Sequence, residues 1–187
     1  MPRNTSGGGA QTTANGLAFE RDTSFNDALG RIDDYELQKY QSKDKKACKI
    51  WGVKDKDGLV GWSAPQTGLE RLLSERFGVE MDDVLSKRLR PDEAFMNVRD
   101  KCLYVIEKKY QERAGSVDEK LQTCDFKRRE YEKLQKAANS DDFETVKYIY
   151  VLSPWFEQQQ YDDVKEYIKD VGCDYYMGEI PLDALGL

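Results

Sequence analysis

A short row of acidic, basic and amide side chains follows an apolar run in the middle of the chain. The run covers residues 103–106, and its β-branched and aromatic side chains favour a strand. Because side chains along a strand alternate between its two faces, Glu107, Lys109 and Gln111 point one way and Lys108 points the other. The sequence therefore predicts an acid, a base and an amide on one face, at the end of a strand whose first residues are apolar.

A second carboxylate, Asp92, lies upstream, directly after Pro91. It precedes another short apolar run, residues 94–96, which is expected to pair with the first run through a turn at residues 97–101. Such a hairpin brings the carboxylates of Asp92 and Glu107 together at one rim of the sheet.

Carboxylates brought together in this way have a definite chemical use. Two of them held a few ångströms apart repel each other, and both stay ionised at neutral pH only if a cation lies between them. Magnesium suits such a site because it prefers oxygen ligands, often takes only one or two carboxylates, and fills its other positions with water and substrate phosphate. A lysine on the same face orients or deprotonates a water, or stabilises charge on a phosphoryl oxygen. The set predicts metal-assisted phosphodiester hydrolysis.

The same charged residues also fit a plainer interpretation. Glu107-x-Lys109 taken alone is more typical of a solvated strand end than of a catalytic site. The upstream Pro-Asp pair, the strand context and the helix signal that follows are the observations that favour the catalytic interpretation.

The order and spacing of these residues resemble a known signature. Pro91 and Asp92, fourteen intervening residues, and then Glu107, Lys108 and Lys109 are similar to the PD-(D/E)xK motif. That motif is typical of the restriction-endonuclease-like nuclease superfamily, and the chain looks most like a type II restriction endonuclease.

Two further stretches extend the resemblance over most of the chain, from about residue 7 to residue 178. Gln111 and residues 115–121 resemble an extension in which an ExKxQ strand leads into a GS-xx-EKL helix start. Residues 7–10 and 15–20 resemble the opening helix of type II restriction enzymes.

The resemblance implies a role for each of these side chains. Asp92 and Glu107 would hold Mg²⁺, for which Mn²⁺ is expected to substitute, and Lys109 would position the attacking water. A glutamate on the first helix often completes the metal site in this family. Glu20 is the candidate here, and an ordinary exposed glutamate is the alternative. The residues expected to support the strand end or the scissile phosphate are Gln111, Lys120 and Ser116.

Three functions follow from the resemblance and stay open at the level of sequence. The first is a Mg²⁺-dependent endodeoxyribonuclease that cuts double-stranded DNA as a homodimer, because a palindromic site presents two identical strands. The second is a structure-specific nuclease, such as a junction resolvase or a repair or phage recombination nuclease, with the same catalytic face. The third is a catalytically inert DNA-binding module that keeps the fold without the chemistry.

Composition excludes several other classes. The 187 residues include no histidine, which rules out HNH-type and phospholipase-D-type nucleases, Ser-His-Asp hydrolases and most zinc sites. No apolar run approaches the length of about eighteen residues that indicates a membrane span, and no apolar segment typical of a secretory signal follows the first residues. The four cysteines show no C-x-x-C spacing. We therefore expect reduced thiols in a cytoplasmic protein without membrane partners.

Charge is distributed unevenly along a chain whose net charge is −6. Residues 87–136 contain 14 Lys and Arg against 10 Asp and Glu, whereas residues 141–187 contain 3 against 11. The middle of the chain therefore suits a phosphate-facing surface, and salt-bridged helix faces explain the same counts.

The pattern of helix and strand signals predicts the architecture. Hairpin strands alternate with helices, which gives an α/β fold with a restriction-endonuclease-like core: a central mixed β-sheet flanked by helices on both faces. Residues 1–14 are expected to form a flexible N-terminal arm, which either wraps a duplex or is simply disordered. Residues 15–187 then form a single PD-(D/E)xK nuclease domain, with one or two helices up to about residue 40 and a long helix over residues 116–138.

An inserted hairpin is predicted around residues 48–63, because Asp57-Gly58 is a strong tight-turn signal between two strand-like runs. Trp51, Trp62 and Lys54 in this hairpin are candidates for contacts to DNA. The alternative is that both tryptophans simply pack against the rest of the domain.

Overall fold

The computed structural model describes residues 8–43, 48–112 and 117–187. The strands are β1 (Glu36–Lys39), β2 (Trp51–Asp55), β3 (Gly58–Ser63), β4 (Glu93–Asn97), β5 (Cys102–Lys109), β6 (Thr145–Leu152) and β7 (Asp174–Met177). The helices are α1 (Gly8–Asp22), α2 (Phe25–Leu29), α3 (Thr67–Phe77), α4 (Met81–Val84), α5 (Val117–Leu121), α6 (Cys124–Ala138) and α7 (Asp162–Asp170). Short 3-10 turns cover Pro154–Glu157, Gln159–Tyr161 and Leu182–Leu185.

All these strands belong to one mixed sheet whose spatial order follows the chain, from β1 at one edge to β7 at the other. Strands β1 to β5 pair antiparallel, and α3 and α4 lie in the chain between β3 and β4. Strands β5, β6 and β7 pair parallel, because α6 and α7 carry the chain back between them. The predicted α/β fold with a central mixed sheet is confirmed.

Helices cover both faces of the sheet, as the sequence predicts. One core lies under α3, α4, α6 and α7, and β5 contributes Leu103 and Val105 to it. The other core lies under α1, α2 and the C-terminal turn, and β5 contributes Tyr104 and Ile106 to it. The strict alternation along β5 is the reason that one strand serves both cores. β6 lies between β5 and β7, and residues 148–152 are buried, in accordance with its apolar sequence.

The first part of the chain differs from the sequence-based expectation. Residues 8–14, assigned to the flexible arm, lie in α1, and residues 1–7 are outside the described residues. The helical prediction up to about residue 40 was wrong at its end, because Glu36–Lys39 form β1. This strand has only four residues and forms because its backbone pairs with β2, which local side-chain patterns do not reveal.

The long helix predicted over residues 116–138 is interrupted. α5 ends at Leu121, and α6 begins at Cys124. The carbonyl of Lys120 accepts hydrogen bonds from the hydroxyls of Thr123 (2.8 Å) and Tyr150 (3.0 Å). In a continuous helix this carbonyl would accept from a backbone amide one turn later, so a nearby side chain and a side chain of β6 replace that backbone hydrogen bond.

The hairpin predicted around residues 48–63 is present as β2 and β3, and β3 pairs with β4, so it is continuous with the central sheet. Its turn contains Gly58 at φ +112°, a conformation that favours glycine. The Trp62 ring meets Tyr40 edge-on at 5.3 Å and lies under the Arg76 guanidinium at 5.0 Å. Trp62 therefore packs within the domain, as the alternative interpretation has it.

Two other expectations can be compared with the structure. All four cysteines are free thiols. Among the described residues, no helix is both long enough and apolar enough to cross a membrane.

The turn between β4 and β5 is held by Asn97, a fully buried amide, and yields a stability prediction. Its Oδ1 accepts from the Arg99 and Asp100 backbone amides at 2.9 and 3.0 Å, and its Nδ2 donates to the Leu185 carbonyl at 3.0 Å. Asn97→Ala leaves these buried groups without partners, so we expect it to lower the free energy of unfolding by about 1 to 3 kcal/mol. Urea denaturation measures the loss.

A matched control for this prediction is Gln160→Ala, which changes an exposed amide side chain in the 3-10 turn over Gln159–Tyr161. If Asn97→Ala lowers the free energy of unfolding no more than the control does, the turn is not held by this amide.

Candidate active site

The carboxylates of Asp92 and Glu107 meet because of the register between β4 and β5. Glu93 pairs with Ile106, so the preceding residue, Asp92, lies opposite Glu107 on the same face of the sheet. The Lys108 backbone amide donates to Asp92 Oδ2 at 2.7 Å and holds that carboxylate against the end of β5. The predicted hairpin thus brings the two acids together.

The ammonium of Lys109 lies between these acids. Its Nζ is 2.7 Å from Glu107 Oε2, 3.1 Å from the Lys108 carbonyl oxygen and 3.9 Å from Asp92 Oδ2. We call these three oxygens the oxygen cage. The Lys109 and Glu107 side chains are only 14% and 9% exposed, so the contacts form where water screens them poorly.

A further lysine reaches the site from α6. Lys127 Nζ is 3.2 Å from Glu107 Oε1, so the Glu107 carboxylate lies between two ammonium groups. The basic run at residues 127–129 favours a solvated helix face for Lys127 in the sequence, and this contact corrects that interpretation. A signal was present, because Lys127 belongs to the same helical stripe as Cys124, Tyr131 and Leu134, which are buried against the sheet.

Burial and mutual repulsion dominate the electrostatics of the acids. Burial, and next the neighbouring Glu107 carboxylate, raise the pKa of Asp92 above its ordinary value, while Lys109 acts in the opposite direction. The phenols of Tyr131 and Tyr148 are buried in the core below, and burial followed by the Glu107 charge raises the pKa of each. The site is therefore a poorly solvated place where added positive charge favours the ionised acids.

Glu20 lies close to this site but does not complete a three-acid cluster. Burial, and next the Asp92 carboxylate, raise the pKa of Glu20, and both residues line a cavity of about 310 Å³. In the described part of the chain, no group of three or more His, Cys, Asp or Glu side chains is close enough to hold a metal ion. The structure thus brings Asp92 and Glu107 to one cation-binding point and leaves Glu20 at its margin.

The other predicted site residues are placed differently. Gln111 is buried just after β5, where its backbone amide donates to Ser153 Oγ at 3.1 Å and its carbonyl accepts from the same hydroxyl at 3.0 Å. It therefore lies at the strand end, as expected of a supporting residue. Lys120 is exposed on α5, and among the described residues its ammonium contacts none of the acids of the site. Ser116 lies outside the described residues.

Two other basic residues of α6, Arg128 and Arg129, form ion pairs along the helix. Arg128 pairs with Asp125 and Glu132, and Arg129 with Asp125. The positive excess over residues 87–136 is thus partly compensated by salt bridges on a helix face, the alternative that the sequence left open.

The oxygen cage suits a divalent cation. Carboxylate and carbonyl oxygens are the ligands that Mg²⁺ and Mn²⁺ prefer, and an ammonium group already occupies the point on which they converge.

Comparisons with known proteins add no family. No family model, curated protein or solved structure matches this chain. The geometry of the site is therefore the basis for a functional proposal.

The raised pKa of Asp92 predicts an unusual dependence of stability on pH. Because the folded protein binds the proton more tightly than the unfolded chain, Asp92 contributes stability at low pH that is lost as pH rises through its folded pKa. Without divalent metal, Asp92→Asn should therefore gain stability relative to wild type as pH rises from 4 to about 7. Urea denaturation across this range is the measurement.

The control is Asp55→Asn, for which the expected change in stability with pH has the opposite sign. The Arg99 guanidinium lowers the pKa of Asp55 to about 2, so this carboxylate stabilises the fold above the pKa it has when unfolded. Asp55→Asn should lose stability relative to wild type near pH 7, and the gap should close as pH falls. A gap of the same sign for both variants would contradict the assignment for Asp92.

Proposed function

We propose that the chain is a Mg²⁺-dependent endodeoxyribonuclease of the PD-(D/E)xK type that hydrolyses phosphodiester bonds in double-stranded DNA. The observation that carries the proposal is the oxygen cage. The Lys109 ammonium lies 2.7 Å from the Glu107 carboxylate, 3.1 Å from the Lys108 backbone carbonyl and 3.9 Å from the Asp92 carboxylate. Asp92 also lines a cavity of about 310 Å³.

Asp92 and Glu107 are the residues that would hold the metal, and the Lys108 carbonyl is the neutral oxygen beside them. A bound divalent ion supplies a Lewis acid for the phosphoryl oxygen and a water of lowered pKa. The protein contributes the pre-formed position of both carboxylates. The Lys108 amide fixes Asp92, and the Lys127 ammonium fixes the far oxygen of Glu107.

Lys109 has a different task once the carboxylates bind a metal. Its ammonium would leave the oxygen cage and would stay near the ends of these strands, because its backbone is held in β5 between β4 and β6. There it orients the attacking water or stabilises negative charge that develops on the phosphoryl oxygen.

The partners follow from the same proposal. Double-stranded DNA is the substrate, and a homodimer cuts both strands of a palindromic site. A cytoplasmic location is consistent with four free thiols.

Incubation of the purified protein with plasmid and phage DNA tests the proposal, with Mg²⁺, Mn²⁺ or EDTA in parallel. Cleavage that needs the metal supports it, and sequencing of the fragment ends then separates its forms. Discrete fragments indicate a type II restriction endonuclease, and cutting only at junctions or flaps indicates a structure-specific nuclease. Absence of metal-dependent cleavage on every substrate, including four-way junctions, contradicts the proposal and favours an inert DNA-binding module.

A further inference from the structure

A second pair of charges lies on the opposite face of the strands that carry the site. Glu93 directly follows Asp92, and Lys108 directly follows Glu107, so strand alternation sends this second pair away from the oxygen cage. Lys108 Nζ is 3.1 Å from Glu93 Oε1, and the two side chains are only 3% and 14% exposed. Each strand thus contributes one acidic side chain to the cage and the next side chain to a buried ion pair.

This ion pair holds the joint between α1 and α2. The Lys108 ammonium donates to the backbone carbonyl of Glu20, near the C-terminal end of α1, at 2.8 Å. Both carboxylate oxygens of Glu93 accept from the backbone amide of Phe25, the first residue of α2, at 3.0 Å. A cation at a helix C-terminus and an anion at a helix N-terminus are the favourable arrangement for helix dipoles.

Stability alone is a weak reason for such a pair. Burial of two charges costs much of what their attraction gains, and apolar side chains of similar size often stabilise a protein as well or better. The Glu93–Lys108 pair lies between the core that includes Phe25 and Ile106 and the cavity that Glu20 and Asp92 share. What the pair adds and apolar packing lacks is a fixed position for one backbone group of each helix, and one of these two groups bears on the candidate site.

That backbone group belongs to Glu20. The α1 carbonyl that Lys108 binds is the carbonyl of the residue whose carboxylate interacts electrostatically with Asp92 and shares a cavity with it. The distance from Glu20 to the oxygen cage is therefore set through Lys108, which follows Glu107 in the chain, and through Glu93, which follows Asp92.

We propose that Lys108 and Glu93 are positioning residues that hold the Glu20 carboxylate beside the oxygen cage, so that Glu20 contributes to divalent-cation binding there. This inference rests on the proposed function. It names the two residues that position the acidic neighbour expected on the first helix, and it gives a purpose to a buried ion pair whose members line the same cavity as Glu20 and Asp92.

The test is a double-mutant cycle on Mn²⁺ affinity, measured by isothermal titration calorimetry with the metal alone. Lys108→Met combined with Glu93→Leu removes both charges together, so no buried charge is left without its partner. We expect this variant to bind Mn²⁺ about 10- to 100-fold more weakly than wild type. Glu20→Gln should weaken binding to a similar degree, and all three substitutions together should weaken it no further.

The outcomes separate this inference from the proposed function. If wild type does not bind Mn²⁺, or binds it no better than Asp92→Asn does, the proposed metal site is wrong and the inference falls with it. If wild type binds and Asp92→Asn does not, but the Lys108→Met/Glu93→Leu variant keeps wild-type affinity, only the inference is overturned. Additive losses with Glu20→Gln also overturn it, because the pair then acts other than through Glu20.

Two further variants complete the design. Lys101→Met removes an exposed lysine that pairs with Glu144 at the other end of β5, and it should leave Mn²⁺ affinity unchanged. Glu93→Gln keeps an acceptor for the Phe25 amide and is measured in the same way if the double variant does not fold. Weaker Mn²⁺ binding, with faster hydrogen exchange in α1, supports the inference, and unchanged affinity overturns it.

Discussion

Lys109→Met is expected to lower the DNA cleavage rate by about 100- to 10,000-fold and yet to bind Mn²⁺ at least as tightly as the wild-type protein. The reason lies in the double role of this ammonium. In the metal-free protein it neutralises the carboxylates of Glu107 and Asp92 at 2.7 and 3.9 Å, so it competes with a metal for the oxygen cage. Its removal ends that competition and also removes the group proposed to act on water or phosphate.

Single-turnover cleavage of plasmid DNA and calorimetry with Mn²⁺ measure the two effects separately. Lys147→Met is the matched control, because Lys147 is an exposed lysine on β6 whose ammonium lies over the Tyr104 ring at 5.3 Å. Normal cleavage by Lys109→Met would refute its catalytic role. A loss of Mn²⁺ affinity would show that the ammonium does not compete for the oxygen cage.

Asp92→Asn is expected to abolish both metal binding and cleavage while the fold persists. The amide oxygen of the substituted side chain can still accept from the Lys108 backbone amide, the contact that Asp92 Oδ2 makes at 2.7 Å. The negative charge that attracts the cation is lost, so we expect Mn²⁺ affinity and cleavage each to fall at least about 100-fold.

Thermodynamic linkage provides a second measurement for Asp92→Asn. A ligand present at 100 times its dissociation constant stabilises the folded state by about 2.7 kcal/mol. Wild type should gain this stability in urea denaturation when Mn²⁺ is added at that ratio, and Asp92→Asn should gain none. Asp82→Asn, which changes an exposed aspartate that pairs with Arg88, should respond to Mn²⁺ as wild type does. An equal gain by Asp92→Asn would place the bound ion elsewhere.

Much of the architecture follows from local sequence patterns, because the elements concerned are long or strongly marked. β5 and β6 each have eight residues with a clear apolar pattern. α3 is terminated by its C-cap, Gly78, which adopts the left-handed conformation at φ +67°. The shorter β1 was missed because pairing with β2 stabilises it. The break between α5 and α6 was missed because a hydroxyl from β6 takes a helix carbonyl.

The candidate site likewise has one part that the sequence predicts and one part that only the tertiary structure reveals. The alternation along β5 and the Pro-Asp position upstream determined, from the sequence alone, that Asp92, Glu107 and Lys109 share one face at the end of a hairpin. Neighbours within a strand or hairpin have their relative directions set by backbone geometry, so their types and spacing suffice. Only the tertiary structure decided that Lys127 reaches Glu107 from α6 and that Lys108 binds the Glu20 carbonyl of α1 on the opposite face of the sheet. Those contacts join segments distant in the chain, and their geometry depends on how helices pack against the sheet.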